Sequence, residues 1–237
     1  MSIKIILFDL DGTLLPMDQD VFVKGYFSTL SKKLAAYGYN PEELVKEIWT
    51  GTALMVKNNG PLSNEEVFWN YFLERFGEKM KEDKKLFDEY YDNEFHVVKD
   101  LCGQNPKALE TVLALKEAGY RTALATNPLF PKHATRNRIV WAGFDPDIFE
   151  FFTSYEVCTS CKPNPKFYQE ILDRIDYKPE EILMVGNDVK EDMVAATLGM
   201  KVFLLTDCLI NKENVDISLY PHGNFDDLLS YVKGLSA

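Results

Sequence analysis

The chain has no apolar run near the ~20 residues that span a bilayer. Its most apolar N-terminal stretch, Ile3–Leu10, is interrupted by Asp9 and followed at once by Asp11. No small-residue cleavage site follows, so neither a secretion leader nor a membrane partner is expected, and the cytoplasm is the default compartment. Basic residues are also few. Against 37 Asp and Glu stand 26 Lys and Arg, a formal charge of −11. Such a field repels phosphate backbones, which argues against nucleic acid as a general partner. Any small anionic substrate then needs a local cation. Histidine is scarcer still, and His96, His133 and His222 show neither metal-ligand nor catalytic-base spacing. Among the four cysteines, Cys158 and Cys161 form a lone CxxC, with no second pair or paired histidines to complete a zinc site. Ordinary reduced thiols are the expectation. Repeats, low-complexity tracts and long linkers are missing too.

What remains can build a core. Hydrophobic residues make up 46% and aromatics 13% of 237 positions. That length exceeds the usual domain mode of roughly 100–150 residues, so a large domain or one with an insertion is expected. Ile3–Phe8 is a nearly unbroken apolar run of the kind that forms a buried parallel strand. Arg121–Ala125, Ile182–Val185 and Lys201–Leu205 read the same way, and Ile148–Thr153 reads as a weaker fifth strand. Helical patterns lie between them at Asn105–Ala118, Pro131–Ala142, Pro165–Ile175 and Val189–Leu198, and Gly119, Gly143 and Gly199 stand where left-handed C-terminal residues belong. Strand–helix alternation predicts an α/β fold with a parallel sheet covered on both faces. The stretch from Met17 to Asp100 lacks a strand and places Val67, Phe68, Tyr71, Phe72 and Phe76, then Leu86, Tyr90, Tyr91 and Phe95, at helical spacing. Asn40-Pro41-Glu42-Glu43 and Ser63-Asn64-Glu65-Glu66 look like capped helix starts. A helical insertion over residues 17–100 follows, its aromatics taken as core; Asp207–Pro221 is expected to be irregular.

Polar groups gather at the strand ends. Asp9 and Asp11, two apart in an extended segment, face one side, and Gly12 permits a sharp turn beside them. Two carboxylates that close stay ionised only beside a cation, and hard oxygen ligands suit magnesium, which binds one or two carboxylates plus substrate phosphate. Thr126 ends the second strand, Lys162 precedes a helix starting at Pro165, and Gly186-Asn187-Asp188 ends the run Ile182–Val185, with Glu191 and Asp192 following.

Taken in order, these motifs resemble those of the haloacid dehalogenase superfamily of phosphohydrolases. Asp9–Thr13 matches DxDGT, Thr126 the strand-end Thr/Ser, Lys162 the KP motif, and Gly186–Asp192 the acidic fourth motif. The 115 positions from Asp11 to Thr126 leave room for an inserted cap, whereas the 36 from Thr126 to Lys162 do not. The resemblance implies a Rossmann-like three-layer core, residues 1–16 and 101–237, with a C1-type helical cap at 17–100. It implies a magnesium-dependent phosphatase of a small phosphorylated metabolite. Asp9 is the nucleophile that forms an aspartyl phosphate, and Asp11 the general acid/base. Thr126, Asn127 and Lys162 hold the phosphate, and Asp9, Asp11 and Asp188 the metal. Asn187 becomes the ligand if the register follows Asp192-Met-Val-Ala-Ala; with Asp188 as ligand, Asp192 supports Lys162. A phosphomutase and a non-catalytic binding protein are the alternatives, and the oligomeric state is open. Phe22, Lys24, Tyr26, Lys57, Asn58 and Asn59 in the cap are read as a solvated surface face ahead of contacts to the leaving group, and His133, near a helix start beyond Thr126, has only a weak claim to the site.

Overall fold

Ile5, Ile6, Leu7 and Phe8 are fully buried, as a strand covered on both faces requires. In the computed structural model, which describes residues 2–235, they form β1 (Ile5–Phe8), the middle of a five-stranded sheet. The others are β2 (Arg121–Leu124), β3 (Ile182–Gly186), β4 (Lys201–Leu205) and β5 (His222–Gly223), in the order β2-β1-β3-β4-β5. Every pairing is parallel; Ile5 lies opposite both Arg121 and Ile182. Alternation along β1 sends Ile6 and Phe8 to one apolar cluster and Ile5 and Leu7 to another. The first packs under α5 (Pro106–Glu117) and α8 (Phe225–Leu235), the second under α7 (Pro165–Leu172) and the 3-10 turn Met193–Leu198. The result is a three-layer α/β core. The ends of the expected core, Met1 and Ala237, lie outside the described residues.

Two expected elements differ. Ile148–Thr153 makes a single parallel bridge, Phe152 to Leu124, because Pro146–Ile148 is taken up by a 3-10 turn. The fifth strand is instead the two-residue β5, too short and polar to leave a periodic trace. Val189–Leu198 is not an α-helix. The Asp192 carboxylate folds back to accept from the Asp188 amide at 2.9 Å, and only Met193–Leu198 coils, as a 3-10 turn. The three helix-ending glycines adopt φ near +90°, as expected.

Between β1 and α5 the chain forms α1 (Gln19–Ala35), α2 (Pro41–Val56), α3 (Asn64–Phe76) and α4 (Met80–Asn93), then a 3-10 turn at Phe95–Leu101. Asn40 caps α2 and Ser63 forms a full capping box with Glu66. The insertion leaves and rejoins the core at one place: Met17 bridges Cys102, and Gly103 N donates to Pro16 O at 2.7 Å. Its aromatics do pack as core, with Phe72, Tyr90 and Phe95 fully buried. No helix of the described residues is long and apolar enough to cross a membrane.

Asn64 pins this insertion to the sheet. Fully buried, it donates through Nδ2 toward Pro128 O, Ser160 O and Cys161 Sγ at 3.2–3.3 Å and accepts from Asn58 Nδ2 at 2.9 Å. Truncation strands several buried acceptors, so Asn64→Ala should lower unfolding stability by about 2 kcal/mol in urea titrations. An unchanged midpoint would show that the clamp contributes nothing.

Candidate active site

Parallel strands expose their carboxyl ends along one edge, and here three of them meet around a cleft of about 690 Å³. Asp9 follows β1, held by its amide to Val185 O at 2.9 Å. Asp11 stands two residues on. Gly12, at φ +86°, turns the chain so closely over Asn187 that any Cβ would collide with that amide. Thr126 and Asn127 follow β2, and Asn187, Asp188, Glu191 and Asp192 follow β3; all line the cleft.

Lys162 lies beneath it, 1% exposed, donating to Asp9 Oδ1 at 2.9 Å and to Asp192 Oδ1 at 2.6 Å. Burial works against its charge, but the Asp192 and Asp9 carboxylates outweigh burial and hold the ammonium well above the usual lysine range. Gly186 makes room for this arrangement: a side chain there would strike the Asp192 carboxylate. The Thr13 hydroxyl lies within reach of both Asp9 Oδ2, at 3.1 Å, and Asn187 Oδ1, at 2.9 Å.

The fourth motif therefore divides its work. Asn187 is 1% exposed, and its amide is engaged by Thr13 and by Cys208 O, at 2.6 Å. Asp192 meets Lys162. Asp188 lies on the cleft wall and spends only Oδ1 on capping the amides of Lys190 and Glu191, at 2.8 and 2.9 Å.

Three participants were not assigned roles from sequence. Thr13 lay in plain view within DxDGT. Glu191 faces the cleft and accepts from Asn127 Nδ2 at 2.9 Å. Arg138, on α6 (Lys132–Trp141), is 1% exposed and ion-pairs with Asp11 Oδ2. Its guanidinium also reaches Thr135 Oγ1 at 3.2 Å and lies 4.3 Å from the Phe130 ring centre. A signal existed: Arg138 stands four residues after Ala134, on a helix stripe that is otherwise apolar or small. Burial raises the Asp11 carboxyl above its ordinary range; Arg138 pulls the other way, and the Asp9 charge adds to burial. Asp11 Oδ1 and Asn127 Oδ1 are buried without any partner, two acceptors in a cleft that a ligand would satisfy.

Other sequence candidates lie elsewhere. His133 stacks on Tyr91 at 5.2 Å and faces Asp92 and Asp88 of α4. Lys24 and Lys57 are exposed, and Asn58 serves the Asn64 clamp. Cys158 and Cys161 are buried and unpaired, and burial pushes the Cys158 thiol up to about 12, leaving it protonated and inert at neutral pH. Phe22 and Tyr26 are buried in the insertion's aromatic core and not on a solvated face, and Phe22 reaches the cleft.

A family model described as haloacid dehalogenase-like hydrolase matches residues 3–198. The phosphoglycolate phosphatase of Vibrio vulnificus (strain YJ016) is 28% identical over 205 residues, covering 86% of this chain and 84% of that protein. Pyrophosphatase PpaX of Bacillus cereus (strain B4264) is 24% identical over 201 residues, covering 85% and 82%. A crystal structure of a phosphatase of the same family from Thermococcus onnurineus superposes with a TM-score of 0.60 at 19% identity, over 98% of this chain and 99% of the other.

Two outcomes test the geometry. Lys162→Met leaves Asp9 and Asp192 facing each other without a cation, and should cost about 3–5 kcal/mol of stability, part of which Asp192→Asn restores. If the single variant unfolds at the wild-type urea midpoint, the buried triad is not structural. Glu191 supplies a pH test. Burial pushes its carboxyl up to about 7 from 4.5, with Lys162 opposing and Asp192 and Asp188 reinforcing. The folded state thus keeps a proton the unfolded chain sheds, and stability falls as pH rises from 4.5 toward 7. With divalent ions chelated, Glu191→Gln should raise the unfolding midpoint at about pH 8 and change it little near pH 4.

Proposed function

Because the chain belongs to the haloacid dehalogenase-like hydrolases, we propose that it is a magnesium-dependent phosphatase of a small phosphorylated metabolite, working through an aspartyl phosphate on Asp9. The observation that carries this reading is the buried Lys162, which holds the Asp9 carboxylate at the floor of a cleft whose rim carries Asp11 and Thr126. The names of two relatives, phosphoglycolate phosphatase and pyrophosphatase, support hydrolysis of small phosphorylated substrates as the activity.

The donor set fits a divalent ion. Asp9 and Asp188 offer hard oxygens, and Asp11 Oδ1 is an orphaned acceptor beside them. Among the described residues no three acidic, thiol or imidazole side chains converge to hold an ion unaided. That suits magnesium, which keeps waters and completes its shell with substrate phosphate. Bound there by Asp9 and Asp188, it would screen the repulsion between carboxylate and phosphate.

The chain's own groups do the rest. Asp9 attacks phosphorus in line, and the P–O bond to the leaving alcohol breaks as the Asp9–phosphorus bond forms. Asp11, its acidity weakened by burial, passes its proton to the departing oxygen and then takes one from the water that cleaves the acyl phosphate. Release from Arg138 is part of that cycle, since a carboxylate held in an ion pair has no proton to give. Thr126, Asn127 and Lys162 face the phosphoryl oxygens and oppose their charge as it develops.

Hydrolysis of p-nitrophenyl phosphate should require magnesium and fall at least about a thousandfold in Asp9→Asn. No phosphate release from that ester or from a panel of phosphometabolites would overturn the reading, and an isomeric sugar phosphate in place of free phosphate would make the protein a mutase. Asp188→Ala should raise the magnesium requirement far more than Asn187→Ala; the reverse would move the ligand to Asn187.

A further inference from the structure

A second cavity, of about 700 Å³, opens beside the acidic cleft and shares Val23, Leu129 and Phe130 with it. Its wall comes mostly from the insertion: Phe27, Trp49, Phe68, Trp69 and Tyr91 stand around it, with Tyr155 from the core. The rings meet edge to face, Phe27 on Trp49 at 5.2 Å and Trp69 on Phe87 at 5.1 Å. Among the described residues no charged side chain lines the space. Its polar tips are engaged with one another, Tyr26 OH with Tyr91 OH at 2.6 Å and Trp69 Nε1 donating to Tyr155 OH at 3.2 Å.

Charge sharpens this. The cleft is lined by Asp9, Asp11, Asp188, Glu191 and Asp192 and, among the described residues, by no lysine or arginine. In the resting site the buried cations Lys162 and Arg138 are paired with Asp9, Asp192 and Asp11, and neither lines the second cavity. Past the phosphate, a second negative charge on a substrate would meet carboxylates and ring faces with no free cation among the described lining residues. Leaving a carboxylate buried and unpaired costs several kcal/mol. A flat, uncharged ring in the same place gains apolar burial and ring contact.

We propose that the cavity receives the leaving group, and that the substrate is a phosphomonoester of an uncharged aromatic alcohol with no anion besides its phosphate. This rests on the phosphatase reading and names its substrate class. Val23, Leu129 and Phe130 line both spaces and so set them side by side, which gives the arrangement: phosphate against Asp9, ring among Trp49, Trp69 and Tyr91.

The test pairs benzyl phosphate with 2-phosphoglycolate, both esters of alkyl alcohols, so leaving-group chemistry is similar and the tail differs. With magnesium, kcat/KM should favour benzyl phosphate by about a hundredfold or more, the discrimination expected when one ligand leaves a charge unpaired. Thr52→Arg, which sets a cation in the cavity wall, should raise KM for benzyl phosphate and narrow that preference. Independently of turnover, titration of Asp9→Asn should change the fluorescence of Trp49 and Trp69 at lower concentrations of benzyl phosphate than of 2-phosphoglycolate. Equal or better use of 2-phosphoglycolate, or a Thr52→Arg preference like that of wild type, overturns the proposal. So does a tryptophan signal that shifts with protein concentration alone, because a second copy of the chain would then cover the cavity. If neither ester is hydrolysed, p-nitrophenyl phosphate and the phosphometabolite panel decide the phosphatase reading, and the fluorescence titration still decides whether the cavity takes an aromatic phosphate.

Discussion

A lysine with almost no exposure to solvent governs the architecture of the strand ends. Lys162 is out of water, so it needs anions, and Asp9 and Asp192 need it in turn. Each of the three comes from a different part of the chain, and none would be stable there without the others. Gly186 exists as a glycine to let Asp192 in, and the fourth-motif segment forfeits an α-helix to aim that carboxylate. The energy that such a triad costs in the interior is offset by its two short ion pairs, which fix the Asp9 carboxylate at the cleft.

A second chain of contacts runs from the insertion to the same place. Tyr26 and Phe95 pack on Phe130 at 5.4 and 6.4 Å, Phe130 lies against the Arg138 guanidinium, and Arg138 holds Asp11. Two acids two residues apart thus receive opposite support: Asp9 from beneath the sheet edge, Asp11 from the side facing the helices. On that side burial raises the Asp11 carboxyl above its ordinary range, and Arg138 opposes the rise.

The strand-end residues were legible in sequence because a parallel sheet leaves little freedom there. An apolar run that ends in Asp-Leu-Asp-Gly must put those acids at the edge, and Thr126 and Asp188 arrive there by the same rule, whereas Lys162 follows no strand and stood out through Lys-Pro ahead of α7. Arg138 was harder to see, since its role depends on which way α6 rolls over the sheet, and only the depth of the Ala134 stripe hinted at it. Asn187 and Asp188 were indistinguishable by spacing; what separates them is the Thr13 hydroxyl, a contact across 174 positions. The aromatic stripes of α3 and α4 pointed correctly to packing. They could not reveal that Phe68, Trp69 and Tyr91 also bound an empty space, because a cavity belongs to the fit of several elements and to no single periodicity. The two-residue β5 was equally beyond reach, its pairing being imposed by β4.

The bridge between Met17 and Cys102, with Gly103 bonded to Pro16, gives the whole helical insertion one narrow stem. Seen from the sheet, the connection from β1 to α5 is a short loop whatever hangs from it, and the closure entropy of threading the strands is that of the short loop. Strand order and register are therefore insulated from the insertion's size and sequence. Such a joint makes the protein mechanically modular: residues can be added to or removed from the helical insertion while the strand ends keep their geometry.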